Sequence, residues 1–123
     1  MILLDTSVWV DHLRRGDSLA VRILESGQAA AHAFVTGELA CANLKSRVQV
    51  VDLLRALPQM PLASDDEVLY FIERHKLMER GIGYVDAHLL AAATIGDSLL
   101  WTRDKPLRTI ATELGFAYLD TDR

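Results

Sequence analysis

Four acidic residues stand where this chain could do chemistry: Asp5, Glu38, Asp86 and Asp104. Asp5 ends the apolar run Ile2-Leu3-Leu4, and Asp104 closes a second run in Leu99-Leu100-Trp101-Thr102-Arg103. Glu38 and Asp86 each lie near the start of an apolar helical pattern. Brought together, four carboxylates make a nest of hard oxygen donors, the ligand type that Mg²⁺ and Mn²⁺ take. Taken singly, each has a plainer reading. Aspartate is a preferred helix N-cap, and acids are favoured in a helix's first turn. Asp104 before Lys105-Pro106 reads as a cap on its own, and Asp5 could cap the helix after it. Glu38 stands two residues after Thr36, not at the three-residue spacing of a capping box. Asp11, Asp17, Asp52, Asp97, Asp120 and Asp122 read as surface or capping residues, and His12, His32, His75 and His88 as structural or exposed.

The elements that must position these acids alternate. Residues 2–4 are too short for a helix and read as a buried strand. A short helix carries Val8, Trp9 and Leu13 and stops at Gly16. Asp17 or Ser18 caps a second helix, which Gly27 ends. Residues 29–34 read as a second strand, and Thr36 as the N-cap of a helix through Leu39, Ala42 and Asn43. Val48, Val51, Leu54 and Leu57 recur at helical spacing. A third strand is expected over Met60–Ala63, between Pro58 and the helix that starts at Ser64-Asp65-Asp66-Glu67 with capping-box spacing. Val85, Leu89, Ala92 and Ala93 predict a long helix ending at Gly96. Residues 98–102 give a fourth strand, Lys105–Leu114 a helix, and Phe116–Leu119 a last short strand. Such alternation implies a parallel sheet with helices on both faces, where function gathers at the strands' carboxyl ends. Asp5 and Asp104 occupy such ends.

The 123 residues, half of them hydrophobic, suit a single domain over 1–123 with a sizeable core. A net charge of −4 argues against gripping nucleic acid by bulk positive charge. Local basic stretches remain at Arg14-Arg15, at Lys45 with Arg47, and at Arg103 with Lys105 and Arg108. The lone cysteine, Cys41, excludes an internal disulfide and reads as a small buried residue. No secretory signal precedes Asp5 and no apolar run is long enough to span a bilayer, so a cytoplasmic protein without membrane contact is expected.

The strings Leu3-Leu4-Asp5-Thr6-Ser7, Glu38-Leu39-Ala40, Asp86-Ala87-His88-Leu89-Leu90-Ala91 and Leu100-Trp101-Thr102-Arg103-Asp104 occur in this order. Together they resemble the PIN-domain nuclease family, most of all the VapC-type ribonuclease toxins of bacterial type II toxin–antitoxin pairs. The resemblance implies a three-layer α/β/α fold with a mostly parallel central sheet of four to five short strands. It makes Asp5, Glu38, Asp86 and Asp104 the catalytic, metal-binding acids, with Mg²⁺ or Mn²⁺ as cofactor and Ser7 and Thr102 as supporting hydroxyls. It implies an endoribonuclease leaving 5′-phosphate and 3′-hydroxyl ends, a homodimer, an RNA substrate and a VapB-type antitoxin partner. An apolar surface for that partner is expected around Trp9, Leu13 and the stretch from Leu44 to Leu54. Where a common PIN ending has a further acid and a Phe after the last Asp, this chain has Pro106 and Leu107, so a fifth ligand is not expected. A receiver-like Mg²⁺-binding signalling domain and a non-catalytic PIN-type binding module are the alternatives. A receiver carries an acidic pair at its first strand end, and here Thr6-Ser7 follow a lone Asp5.

Overall fold

The computed structural model describes residues 1–120. Its elements run β1 (Ile2–Leu4), α1 (Thr6–Arg15), α2 (Ser18–Glu25), β2 (Ala29–Ala30), α3 (Ala33–Ala40), α4 (Arg47–Ala56), α5 (Asp65–His75), α6 (Tyr84–Ile95), β3 (Leu99–Trp101) and α7 (Lys105–Leu114). The strands form a parallel sheet in the order β2-β1-β3. Leu3 pairs with Ala30 on one side and Leu100 on the other. All three residues of β1 are buried, so both faces of the sheet are covered, as parallel strands require. The alternating α/β architecture agrees with the sequence reading.

The strand count is lower than expected. Met60–Ala63 and Phe116–Leu119 are not strands. Each neighbourhood contributes a single parallel bridge, Ala31 to Gln59 at one edge and Leu100 to Ala117 at the other. At the first edge Ala31 donates to the Pro58 carbonyl (2.9 Å) and Met60 donates back to Ala31 (2.8 Å). Pro61 follows and has no N–H with which to continue the ladder. The same segment lies hard against the end of α6. A Cβ at Gly96 would stand 3.0 Å from both Met60 Sδ and Pro61 Cδ, so glycine there permits the close approach.

Helix ends follow capping chemistry. Asp5, Asp17 and Asp104 are N-caps whose carboxylates accept from the backbone of the first turn. Ser64 and Glu67 form the expected capping box on α5, with Ser64 N donating to Glu67 Oε1 (2.8 Å) and Glu67 N to Ser64 Oγ (3.2 Å). The start of α3 differs from expectation: it begins three residues before Thr36, capped by His32, whose Nδ1 accepts from Phe34 N at 3.0 Å. The second strand is correspondingly cut short at Ala30.

One hydrophobic cluster joins β1, β3 and the inward faces of the helices, with Trp9, Trp101, Leu4, Leu54, Leu89 and Ile110 all essentially without exposure. The middle of α6, Ala87 to Ala93, is buried throughout, as befits a helix apolar on all sides. Two expectations fail here. Trp9 is fully buried and offers no surface to a partner, and Cys41, at the end of α3, is exposed. Asp122 lies outside the described residues.

Candidate active site

Asp5 leaves the central strand and caps α1, so its carboxylate is fixed by the two elements it joins. Its backbone N–H donates to Trp101 of β3 (2.9 Å). It is 6% exposed, and every oxygen is engaged: Oδ1 accepts from Thr6 N (2.7 Å), Oδ2 from Ser7 Oγ (3.0 Å) and Thr102 Oγ1 (2.6 Å). Thr102 in turn accepts from the backbone of Asp104 (3.1 Å). One buried hydroxyl therefore ties the acid after β1 to the acid that opens α7. Asp104 is exposed and caps α7 through Oδ2, which accepts from Leu107 N (3.0 Å). Ser7 and Thr102, expected as supporting hydroxyls, thus both bind the Asp5 carboxylate.

Glu38 stands in the last turn of α3, not near a helix start as expected, because α3 begins at Ala33; it is exposed, and its Oε1 accepts from Thr6 Oγ1 at 2.6 Å. Thr6 was not singled out by the sequence, although its place directly after Asp5, in the first turn of α1, puts a hydroxyl beside the strand ends. Asp86, in the first turn of α6, accepts from Gly83 N (3.0 Å) through Oδ2. Partial burial pushes the Asp86 carboxyl above the usual carboxylate range. The Gly83 N–H opposes this, and the negative charges of Asp5, Asp104 and Glu38 add to the upward shift. Asp86 thus lies within reach of the charges of the other three acids.

As the side chains stand, no three carboxylate, imidazole or thiol groups among the described residues are drawn together into a ligand set for a metal ion. The donor chemistry nonetheless fits a hard divalent cation: carboxylates flanked by hydroxyls, with excess negative charge that an ion would offset. Glu38, Asp86 and Asp104 each accept a hydrogen bond through one carboxylate oxygen.

Three acids read as surface or capping residues form a second group. Asp11, Asp17 and Asp120 surround Arg103, which pairs with all three. Asp17 does cap α2 as well, through Leu19 N and Ala20 N. This corrects the basic stretch expected at Arg103: its charge is spent within the protein. Alternation along Thr102-Arg103-Asp104 was the available signal, since in extended chain the middle side chain faces away from its neighbours.

The histidines are structural in placement. His12 Nδ1 accepts from Asp17 N (3.1 Å), and His32 and His88 are buried, their ring centroids 6.4 Å apart. Burial, and then the neighbouring His88, push the His32 imidazole down to about 4. Beside Glu38 an open groove of about 670 Å³ runs between α3 and α6, lined by Ala33, Phe34, Gly37, Cys41 and Val85.

The family model described as PIN domain matches residues 2–113. Ribonuclease VapC32 of Mycobacterium tuberculosis is 47% identical over 118 residues, which cover 95% of each chain. Among solved structures, a toxin-antitoxin complex from Klebsiella pneumoniae superposes with a TM-score of 0.62 at 23% identity, covering 85% of this chain and 87% of that one. FitAcB from Neisseria gonorrhoeae gives 0.58 at 19% identity, over 91% of this chain and 94% of that one. At such identities the two structures speak for the fold.

Proposed function

Because this chain belongs to the PIN domain family, we propose that it is a metal-dependent endoribonuclease of the VapC type, the toxin of a type II toxin–antitoxin pair. Likeness to a named ribonuclease along nearly the whole chain supports the activity. The observation that supports the site is geometric: the Thr102 hydroxyl joins Asp5 to the backbone of Asp104, and Thr6, next to Asp5, donates to Glu38. These four acids would hold Mg²⁺ or Mn²⁺. When bound, the ion supplies a lowered pKa for an attacking water and charge compensation at the scissile phosphate.

The chain's own residues supply the positioning. Thr102 and Ser7 orient Asp5 by donating to Oδ2, and Thr6 orients Glu38. Gly83 N–H holds Asp86 at the mouth of α6. No imidazole is needed as a base, since His32 and His88 are enclosed in the core.

RNA is the substrate in this reading, and a VapB-type antitoxin is the partner that silences it. The groove beside Glu38 gives that partner a route to the acids. A homodimer is part of the reading too. Tyr70 and Ile95 stand more than half exposed at the apolar groove between α5 and α6, and supply a face for a second copy. No helix among the described residues is long and apolar enough to cross a membrane. An exposed single thiol suits the reducing cytoplasm in which we place the protein.

The test is cleavage of RNA with Mn²⁺ or Mg²⁺, against an EDTA control and Asp104→Asn. Asparagine caps helices as well as aspartate does, so the variant removes a charge and keeps the start of α7. Metal-dependent cleavage by the wild type, lost in Asp104→Asn, is the expected result. Equal cleavage by both would overturn the assignment.

A further inference from the structure

Arg103 stands between two residues of the candidate site and turns away from both. With Thr102 committed to Asp5, alternation sends the Arg103 side chain to the opposite side of the segment. There Nη1 donates to Asp11 Oδ2 (2.8 Å), while Nη2 donates to Asp17 and, at 3.4 Å, to Asp120. The guanidinium also lies 5.3 Å from the ring centroid of Trp101. Trp101 is fully buried, and its Nε1 donates to the same Asp120 carboxylate (2.9 Å). Along the main chain, Arg103 N–H donates to Ser7 Oγ (3.0 Å), the hydroxyl that binds Asp5.

The segment carrying Asp104 is therefore fastened to α1 twice, through Ser7 and Asp11. It is fastened to the start of α2 through Asp17 and to the chain beyond α7 through Asp120. An exposed ion pair would do little. This one differs, because Asp17 is only 6% exposed and is itself locked as the cap of α2. A planar guanidinium can serve several carboxylates at once, which a lysine ammonium on its flexible stem does poorly.

Resting on the metal-nuclease reading, we propose that Arg103 is a positioning residue that sets Asp104 against Asp5 and so fixes the spacing of the acids toward the cation. It contacts neither the ion nor RNA, because its donors face Asp11, Asp17 and Asp120.

The experiment is thermal unfolding of the full-length, metal-free protein titrated with Mn²⁺ in the absence of RNA. Wild type, Arg103→Gln, Arg103→Lys and Asp11→Asn are compared. The expected result is an increase of about tenfold in half-saturating Mn²⁺ for Arg103→Gln, the scale on which groups behind metal ligands act. Smaller increases follow for Arg103→Lys and Asp11→Asn, and excess Mn²⁺ restores much of the RNA cleavage lost by Arg103→Gln. An Asp86→Asn/Arg103→Gln double variant measures any binding to the uncovered Asp11, Asp17 and Asp120 carboxylates. A lower melting temperature with unchanged half-saturation makes Arg103 a fold residue alone and overturns the proposal. Should Arg103→Gln fail to fold, unchanged half-saturation in both milder variants overturns it equally. A wild type indifferent to Mn²⁺ removes the metal reading and this inference together, whereas a responsive wild type with equally responsive variants removes the inference only.

Discussion

At the residue scale, the Asp86 carboxyl is half-buried and faces the charges of three further acids. The raised Asp86 carboxyl holds its proton in the folded chain to a higher pH than in the unfolded chain. Its contribution to stability is full in acid and is lost as pH rises through the folded value. Asp86→Asn keeps an oxygen for Gly83 N–H and sheds the charge. The metal-free variant is expected to melt no lower than wild type at neutral pH, and to lose most of the stabilisation that Mn²⁺ brings; calorimetry with and without Mn²⁺ checks both. His32 works with the opposite sign. With its folded pKa pushed down to about 4, the unfolded chain takes the proton first as pH falls from about 6.5. Stability is full above that value and falls by up to roughly 3 kcal/mol toward pH 4. Because Asp86 acts against this trend, the measurement is the difference in urea midpoint between wild type and His32→Asn across that window, and it should narrow with acid. The sequence offered the four acids as candidates because Asp5 and Asp104 end apolar runs and Asp86 opens a helix, whereas Glu38 proves to stand in the last turn of α3. Thr6 and the partners of Arg103 were not legible there, since contacts such as Arg103 to Asp11 join residues 92 apart and depend on which way a side chain turns.

At the scale of elements, helices were read well and strands poorly, for a physical reason. Helix periodicity and caps are local, so Ser64-x-x-Glu67 announces α5 without reference to anything else. Edge pairing is not local: Gln59 and Ala117 each reach the sheet through one bridge, and nothing in Met60–Ala63 or Phe116–Leu119 tells how far a ladder extends. The start of α3 escaped because histidine is not among the preferred caps, although its Nδ1 can accept the bond. Two predictions belong here. Ser64→Ala is expected to cost about 1 kcal/mol through loss of the cap, with RNA cleavage unchanged at a temperature where both proteins are folded. Gly37 lies inside α3 with ordinary backbone and nothing within 4 Å of an added Cβ. Gly37→Ala is therefore expected to stabilise by about 0.5–1 kcal/mol in chemical denaturation.

At the scale of the whole molecule, the apolar patch on α5 and α6 and the acidic site are separate surfaces with separate tests. Tyr70→Lys combined with Ile95→Lys alters residues 67% and 53% exposed. The pair is expected to convert the proposed dimer to a monomer by light scattering, with thermal stability nearly unchanged at matched low concentration. The site itself is assembled from distant parts of the chain, for Thr102 meets Asp5 across 97 residues. At synthesis rates of about 5–20 residues per second, roughly 5–20 s pass between the addition of Asp5 and that of Asp104. Until that last acid arrives, the growing polypeptide lacks one of the four carboxylates proposed to make up its cutting centre. On the proposed assignment, a ribosome making this protein is thus not confronted, before that residue is added, with a complete nuclease centre still attached to it.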